Sequence, residues 1–322
     1  MKGPMKEFGL IRQIQRETSG PDHGVILGIG DDAAILDVPE GQHLVAATDM
    51  LNAGIHFPVD TSPSDIGYKC LAVNLSDLAA MGATPKWALL SLSLPAADPL
   101  WMKSFTAGFR ALAQTYDVAL VGGDTTHGPL SISVTALGVV EPERQMLRSG
   151  ARAGDLVVVS GTIGGAARIL ELIQAGEDHA ERHLLDRPSP RISLGKALSG
   201  YASACIDVSD GLLADLGHIL TASRVAARIE VSRLPASAVL FDLEEEQRWN
   251  YQLAGGDDYE LLFTLPEHHR PLLDDWSTKL SIRLSVIGQV EEGEGEGIRC
   301  VASGGKIFNP RRPRFDHFKP SS

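Results

Sequence analysis

Carboxylates dominate the residues able to do chemistry in this chain. Asp31 and Asp32 sit in Gly28-Ile-Gly-Asp-Asp-Ala33, Asp49 follows Ala47-Thr48, and Asp124 sits in Val121-Gly-Gly-Asp-Thr-Thr126. Asp207 and Asp210 belong to Ile206-Asp-Val-Ser-Asp-Gly211, and Asp257 and Asp258 to Ala254-Gly-Gly-Asp-Asp-Tyr259. Most of them follow a short apolar run and have Gly, Ser or Thr beside them. That pattern places them at strand ends, in turns where the backbone can approach a ligand closely. One Gly-Asp at a strand end is ordinary turn chemistry. Several in one chain, without His or Cys beside them, are what a hard, oxygen-seeking cation such as Mg²⁺ requires.

Asp77 stands apart, on a predicted helix over 64–85. Ser64 is its expected cap, Asp65 suits the positive end of the dipole, and Gly82 with Pro85 stops it. Ile66, Cys70, Val73 and Leu78 fall at helical spacing and define a core face. Asn74 and Asp77 lie one turn apart among small residues (Ala79, Ala80, Gly82), where a solvated face would carry long charged side chains. Small neighbours around a short carboxylate point to close approach by another backbone or by a ligand.

The surrounding elements follow from periodicity. The first part predicts a helix over 5–18 with Phe8, Leu10, Ile11 and Ile14 on one side, and strands over 25–29, 33–36, 43–48 and 87–94. A helix opened by Asp98-Pro99 turns Trp101, Phe105, Phe109 and Leu112 inward, and strands follow over 118–121 and 131–140. The polar stretch 141–155 marks a domain boundary near 150, giving domains 1–150 and 151–322. Beyond it, helices over 165–175, 190–199, 211–223, 244–253 and 266–279 alternate with strands over 156–160, 203–207, 225–231, 260–265 and 281–290. The basic, aromatic tail (Arg311, Arg312, Arg314, Phe315, His317, Phe318) reads as a strap laid on the body.

Composition narrows the function. A chain of 322 residues with 43% hydrophobic and 22% charged content builds a large globular core. A net charge of −12 argues against nucleic acid and anionic membranes as partners, yet permits an anionic substrate where divalent ions reverse the local field. Cys70, Cys205 and Cys300 form no Cys-x-x-Cys and sit in apolar segments, so buried free thiols in a reducing, cytoplasmic setting are expected. No apolar leader or membrane-length run is seen. There is no P-loop, kinase His-Arg-Asp, Gly-x-Ser-x-Gly elbow or His/Cys metal cluster. Gly161-Thr-Ile-Gly-Gly165 lacks the third glycine of a dinucleotide fingerprint and reads as a packed turn within reach of a phosphate. His56, in the glycine-containing loop after Asp49, and Arg148, at the boundary, are surface residues by themselves and candidate substrate and phosphate contacts in this company.

Taken in order, several motifs carry a resemblance. They are Gly28-Ile-Gly-Asp-Asp-Ala33, Thr48-Asp49, Gly54-x-His-Phe57, Lys69-x-Leu-Ala-Val-Asn-Leu-Ser-Asp-Leu-Ala-Ala-Met-Gly-Ala83, Gly122-Gly-Asp-Thr-Thr126, Arg148-Ser-Gly150, Asp207-x-Ser-Asp-Gly-Leu212 and Gly255-Gly-x-Asp-Tyr-Glu260. From about Phe8 to Phe318 the chain resembles the thiamine-monophosphate kinase family, in the superfamily of aminoimidazole ribonucleotide synthetase and selenophosphate synthetase. The resemblance implies an α+β fold of two domains. The N-terminal domain, with a mixed sheet and helices, would bind ATP and Mg²⁺ and pair its sheet across a homodimer. The C-terminal α/β sandwich would complete the nucleotide and substrate cleft. It further implies ATP-dependent phosphorylation of thiamine monophosphate to thiamine diphosphate by direct transfer, with no covalent nucleophile or general base.

Carried over by motif, the implied metal ligands are Asp32, Thr48, Asp49, Asp77, Asp124, Asp207 and Asp210. Gly123, Asp124, Arg148 and Ser209 would contact the nucleotide, and His56, Asp257 and Arg312 the substrate. Ala47 stands where relatives can carry a metal-binding Ser, and Arg312, with Phe315 nearby, stands where they place an aromatic on the thiamine. Selenophosphate synthesis is disfavoured by the lack of a reactive N-terminal Cys, and hydrogenase maturation by the lack of a terminal Cys. A catalytically silent nucleotide-binding dimer is disfavoured because the Asp set is present.

Overall fold

The structure, a computed structural model, describes residues 7–18, 24–293 and 297–310. They divide into two compact units. The first takes the described residues up to Leu78 together with Ala83–Glu143, and the second Ala79–Gly82 together with the described residues from Arg144 onward. Arg312, Phe315 and the rest of the basic tail lie outside the described residues.

The first unit contains α1 (Glu7–Thr18), β1 (Val25–Leu27), β2 (Ile35–Leu36), β3 (His43–Asn52), α2 (Pro63–Ala80), β4 (Thr84–Leu94), α3 (Pro99–Tyr116), β5 (Ala119–His127) and β6 (Ser131–Val140). Its main sheet runs β3-β6-β4-β5, with β4 and β5 parallel and the other pairs antiparallel. Helices α2 and α3 pack closely because each spends a glycine at the contact. A methyl at Gly67 would strike the Phe105 carbonyl, and one at Gly108 the Ser64 carbonyl. Ile66, Cys70, Val73, Leu78, Phe105, Phe109 and Leu112 are buried, while Trp101 stacks on Phe105 from the rim. Asp98 caps α3 by accepting the N–H of Leu100 and Trp101, with Pro99 in the first turn.

Two expectations change. The cap of α2 is Ser62, two residues earlier than Ser64: its Oγ accepts the Asp65 N–H and donates to the Asp65 carboxylate. Strands β3 and β5 run well past their predicted ends, so Asp49 and Asp124 stand inside strands and not in terminal turns. The cause is cross-strand pairing, because β3 holds a ten-residue register against β6 from His43↔Val140 to Asn52↔Ser131.

The second unit contains β7 (Leu156–Ser160), α4 (Gly165–Gln174), α5 (His183–Asp186), α6 (Ile192–Leu198), β8 (Ala204–Asp207), α7 (Leu212–Ser223), β9 (Ala226–Glu230), α8 (Glu245–Ala254), β10 (Leu261–Leu265), α9 (Leu272–Leu280), β11 (Leu284–Glu291) and β12 (Ile298–Val301). Its six-stranded sheet runs β12-β9-β11-β7-β10-β8 and is antiparallel except for β12 with β9. β7 and β10 are buried along their whole length, which is why they read as unbroken apolar runs. Phe308 packs on this core and against Trp249, with ring centroids 5.2 Å apart. The three cysteines are free and buried, and burial pushes all three thiols up, Cys300 to about 11.

Candidate active site

In the first unit, regular elements position the candidate residues. Asn74, fully buried on α2, accepts the backbone N–H of Asp49 at 3.0 Å and donates to the Cys70 carbonyl. The close approach inferred around Asn74 and Asp77 is thus partly a strand edge meeting a helix. Burial raises the Asp49 carboxyl above the ordinary carboxylate range. Asp77 lies one turn beyond Asn74 and is half-buried.

The sheet register separates the other candidates from Asp49. The row Asp49–Val134–Leu90–Gly123 faces the helices, where Val134 and Leu90 are buried. The neighbouring row Met50–Ser133–Ser91–Asp124 therefore faces the opposite side, where Met50 is 58% exposed. Thr48 lies on that open face too, donating to the Val134 carbonyl and accepting from Thr135, both at 3.1 Å. Asp49 and Asp124 stand on the sheet's two edges, three strand spacings or roughly 14 Å apart along the sheet. Gly123 has φ +145°, and a methyl there would strike the Leu90 carbonyl, so only glycine fits. Asp32 is exposed, with its N–H bound to the Asp31 carboxylate.

His56 is held from two sides. Its Nδ1 accepts the Asn52 N–H at 3.0 Å, which puts the ring proton on Nε2. Its carbonyl accepts from Nζ of Lys69, itself only 1% exposed, at 3.0 Å.

In the second unit, two loops carry the candidates and are zipped together. Asp257 N–H donates to the Ser209 carbonyl (2.9 Å), Tyr259 N–H to the Val208 carbonyl (2.8 Å), and Val208 N–H to the Glu260 carbonyl (2.8 Å). The approach is tight enough that a methyl on Gly256 would strike the Ser209 carbonyl. Asp257 and Tyr259 both adopt left-handed backbone, at φ +66° and +50°. Such strain in a non-glycine residue persists only where the surroundings enforce it. Asp207, Ser209, Asp210 and Asp257 are thereby gathered, while Arg148 is exposed with its carbonyl accepting from Ser223 Oγ.

Behind these loops stand acids and a base that sequence reasoning did not single out for a role. Asp215 accepts three backbone N–H groups of the Asp207–Gly211 loop. Burial, then the charges of Asp207 and Asp210, push its carboxyl up to about 8. Asp258 accepts the Gly164 N–H at 2.7 Å, and burial holds its carboxyl well above the usual range. Glu260, 5% exposed, accepts from Ser160 Oγ at 2.5 Å and from Arg191 through two nitrogens. The available signal was the doubled acid in Gly-Gly-Asp-Asp and the acid one turn into α7. Asp258 also settles the Gly161–Gly165 turn: its carboxylate takes the Gly164 N–H at the start of α4, where a phosphate would otherwise bind.

Oxygen-only donors, desolvated Asp49 and the like charges around Asp215 all fit a hard divalent cation. Among the described residues no three His, Cys, Asp or Glu side chains are grouped as one metal site. Asp49 and Asp124 also lie too far apart in one chain to share an ion.

Two α+β units in this order match the AIR synthase related proteins. Their N-terminal domain family matches residues 30–140 and their C-terminal domain family residues 152–301. The thiamine-monophosphate kinase of Escherichia coli K12 is 44% identical over 322 residues, covering 97% of this chain and 98% of its own. The crystal structure of the Stenotrophomonas maltophilia thiamine-monophosphate kinase is 46% identical with a TM-score of 0.84, over 92% of this chain and 96% of that one. The complex of AaThiL with AMPPCP and TMP is 34% identical with a TM-score of 0.74, over 98% and 97%. The chain belongs to the thiamine-monophosphate kinase family, and is a phosphotransferase of the ATP-binding kinase type.

Proposed function

We propose that this chain transfers the γ-phosphoryl group of ATP to thiamine monophosphate, giving thiamine diphosphate and ADP, the last step of thiamine diphosphate biosynthesis. The observation that carries the reading is the zipped pair of loops bearing Asp207, Ser209, Asp210 and Asp257, in a family whose solved member binds AMPPCP and TMP. Asp32, Thr48, Asp49, Asp77, Asp124, Asp207 and Asp210 hold Mg²⁺, and Gly123, Asp124, Arg148 and Ser209 contact the nucleotide. When bound, several Mg²⁺ ions shield the two polyanions from each other and draw charge from the transferring group. The chain's own task is positioning. His56, fixed in its Nε2–H tautomer, donates to the acceptor, and Asp257 orients it, with Arg312 as a further substrate contact. The acceptor phosphate has a second pKa of about 6, so it reacts as a dianion without a strong general base. Transfer is direct, and no side chain carries the phosphoryl group.

A homodimer is part of this reading. The open face of β3 exposes Leu44, Ala46, Thr48 and Met50, with Leu44 at 50% and Met50 at 58%. An apolar sheet face of this kind is a surface for a second copy. Pairing there would bring that copy to the side on which Thr48 and Asp124 stand. A cytoplasmic setting is supported by the three buried free thiols. Among the described residues no helix is long and apolar enough to cross a membrane.

The test is product analysis with ATP, Mg²⁺ and thiamine monophosphate. Thiamine diphosphate formed one-for-one with ADP and abolished by EDTA is expected. ATP binding without thiamine diphosphate would assign the chain a different acceptor.

A further inference from the structure

The loop bearing Ser209 and Asp210 leads straight into α7, and the start of a helix is ordinarily an open seat for a phosphate. In this chain the three amides that lead into the helix are taken from within. The N–H groups of Ser209, Asp210 and Gly211 all donate to one atom, Oδ2 of Asp215, at 3.1, 3.2 and 3.1 Å. Asp215 sits in the first turn of α7 and is 2% exposed. Gly211, which precedes the helix, has φ +115°, and Asp215 ties its N–H and the two before it back to the first turn of α7. The side chains of Ser209 and Asp210 are half-buried and turned away from this bond set.

We propose that Asp215 is a positioning residue for phosphoryl transfer. By taking all three amides it commits this loop to side-chain oxygens. This loop then meets the phosphates of ATP through a divalent cation held by Asp207 and Asp210, and not through the N–H groups of Ser209, Asp210 and Gly211. The proposal rests on the roles given above to Ser209 and Asp210. It separates Asp215 from the metal ligands, since its Oδ2 is turned to the backbone and acts by holding them.

The test uses the full chain, Asp215→Ala and Asp215→Asn, with Mn²⁺ as the probe. Mn²⁺ binding is read by electron paramagnetic resonance with a non-hydrolysable ATP analogue present, and amide exchange of 208–214 is read in metal-free protein. In Asp215→Ala the three amides should exchange at least tenfold faster, and half-saturation should need at least tenfold more Mn²⁺. KM for thiamine monophosphate should move less than twofold. Asp215→Asn keeps one accepting oxygen and should fall between Asp215→Ala and the parent; if Asp215→Ala does not fold, Asp215→Asn decides. Folded Asp215→Asn with parental exchange and Mn²⁺ affinity overturns the proposal alone. Parent protein that binds neither Mn²⁺ nor the analogue overturns the kinase reading and this proposal with it.

Discussion

The two units present their candidate residues by opposite means. In the first, Asp49, Asp77, Thr48 and Asp124 stand on strands and a helix, and their directions are set by the two-residue alternation of the sheet and by one Asn74 bridge. In the second, Asp207, Ser209, Asp210 and Asp257 stand at a strand end and on loops whose shape is enforced by backbone zipping and by Asp215, Asp258 and Glu260 behind them. Regular structure fixes direction at little cost, but it scatters carboxylates over two faces. Loops can converge them, and then need buried polar partners to hold strained backbone in place.

The sharpest way to break the comparison is to remove one carboxylate from each unit. Asp77→Asn and Asp210→Asn should each lower kcat roughly a hundredfold or more while the circular dichroism spectrum stays parental. Parental turnover in either would remove that residue from the metal set. Arg191→Met attacks only the loop-supported side, leaving Glu260 buried without its cation. It should cost about 3 kcal/mol in chemical denaturation, and a variant as stable as the parent would show that Ser160 alone satisfies Glu260. Gly123→Ala attacks only the sheet-supported side. It forces a methyl against the Leu90 carbonyl at left-handed backbone and should cost about 2 kcal/mol, read as a lower Tm.

Smaller effects sharpen the picture. Lys69→Met removes the Nζ bond to the His56 carbonyl and should raise KM for the acceptor several-fold with KM for ATP unchanged; equal shifts in both would mean a general loosening. The Asp258 carboxyl is raised in the folded state, so its contribution is full below the unfolded pKa, near 4, and is lost as pH rises through the folded value. Tm should therefore decline as pH rises above about 4. Asp258→Asn should flatten that decline, and an unaltered slope would assign it to other groups.

Much was legible from local pattern alone. The spacing of Ile66, Cys70, Val73 and Leu78 defined the buried face of α2, and Asp98-Pro99 its neighbour's start, because both are properties of a few adjacent residues. The spacing of motifs along the chain likewise carried the family and its AIR synthase related fold. Strand length was not legible, since β3 and β5 continue only where a partner strand supplies hydrogen bonds, and that partner is distant in sequence. Nor was the sidedness of the carboxylates. Thr48 and Asp49 are neighbours in sequence and therefore point to opposite faces, and Asp124 shares a face with Thr48 only through the β6 and β4 register. The acids behind the loops were decided by tertiary structure as well. Whether Asp215, Asp258 or Glu260 serves a ligand or another part of the chain depends on which segment lies beside it, and packing alone settles that. The sequence determined which chemistry the chain carries, because residue type sets donor character; tertiary structure decided which of those donors meet.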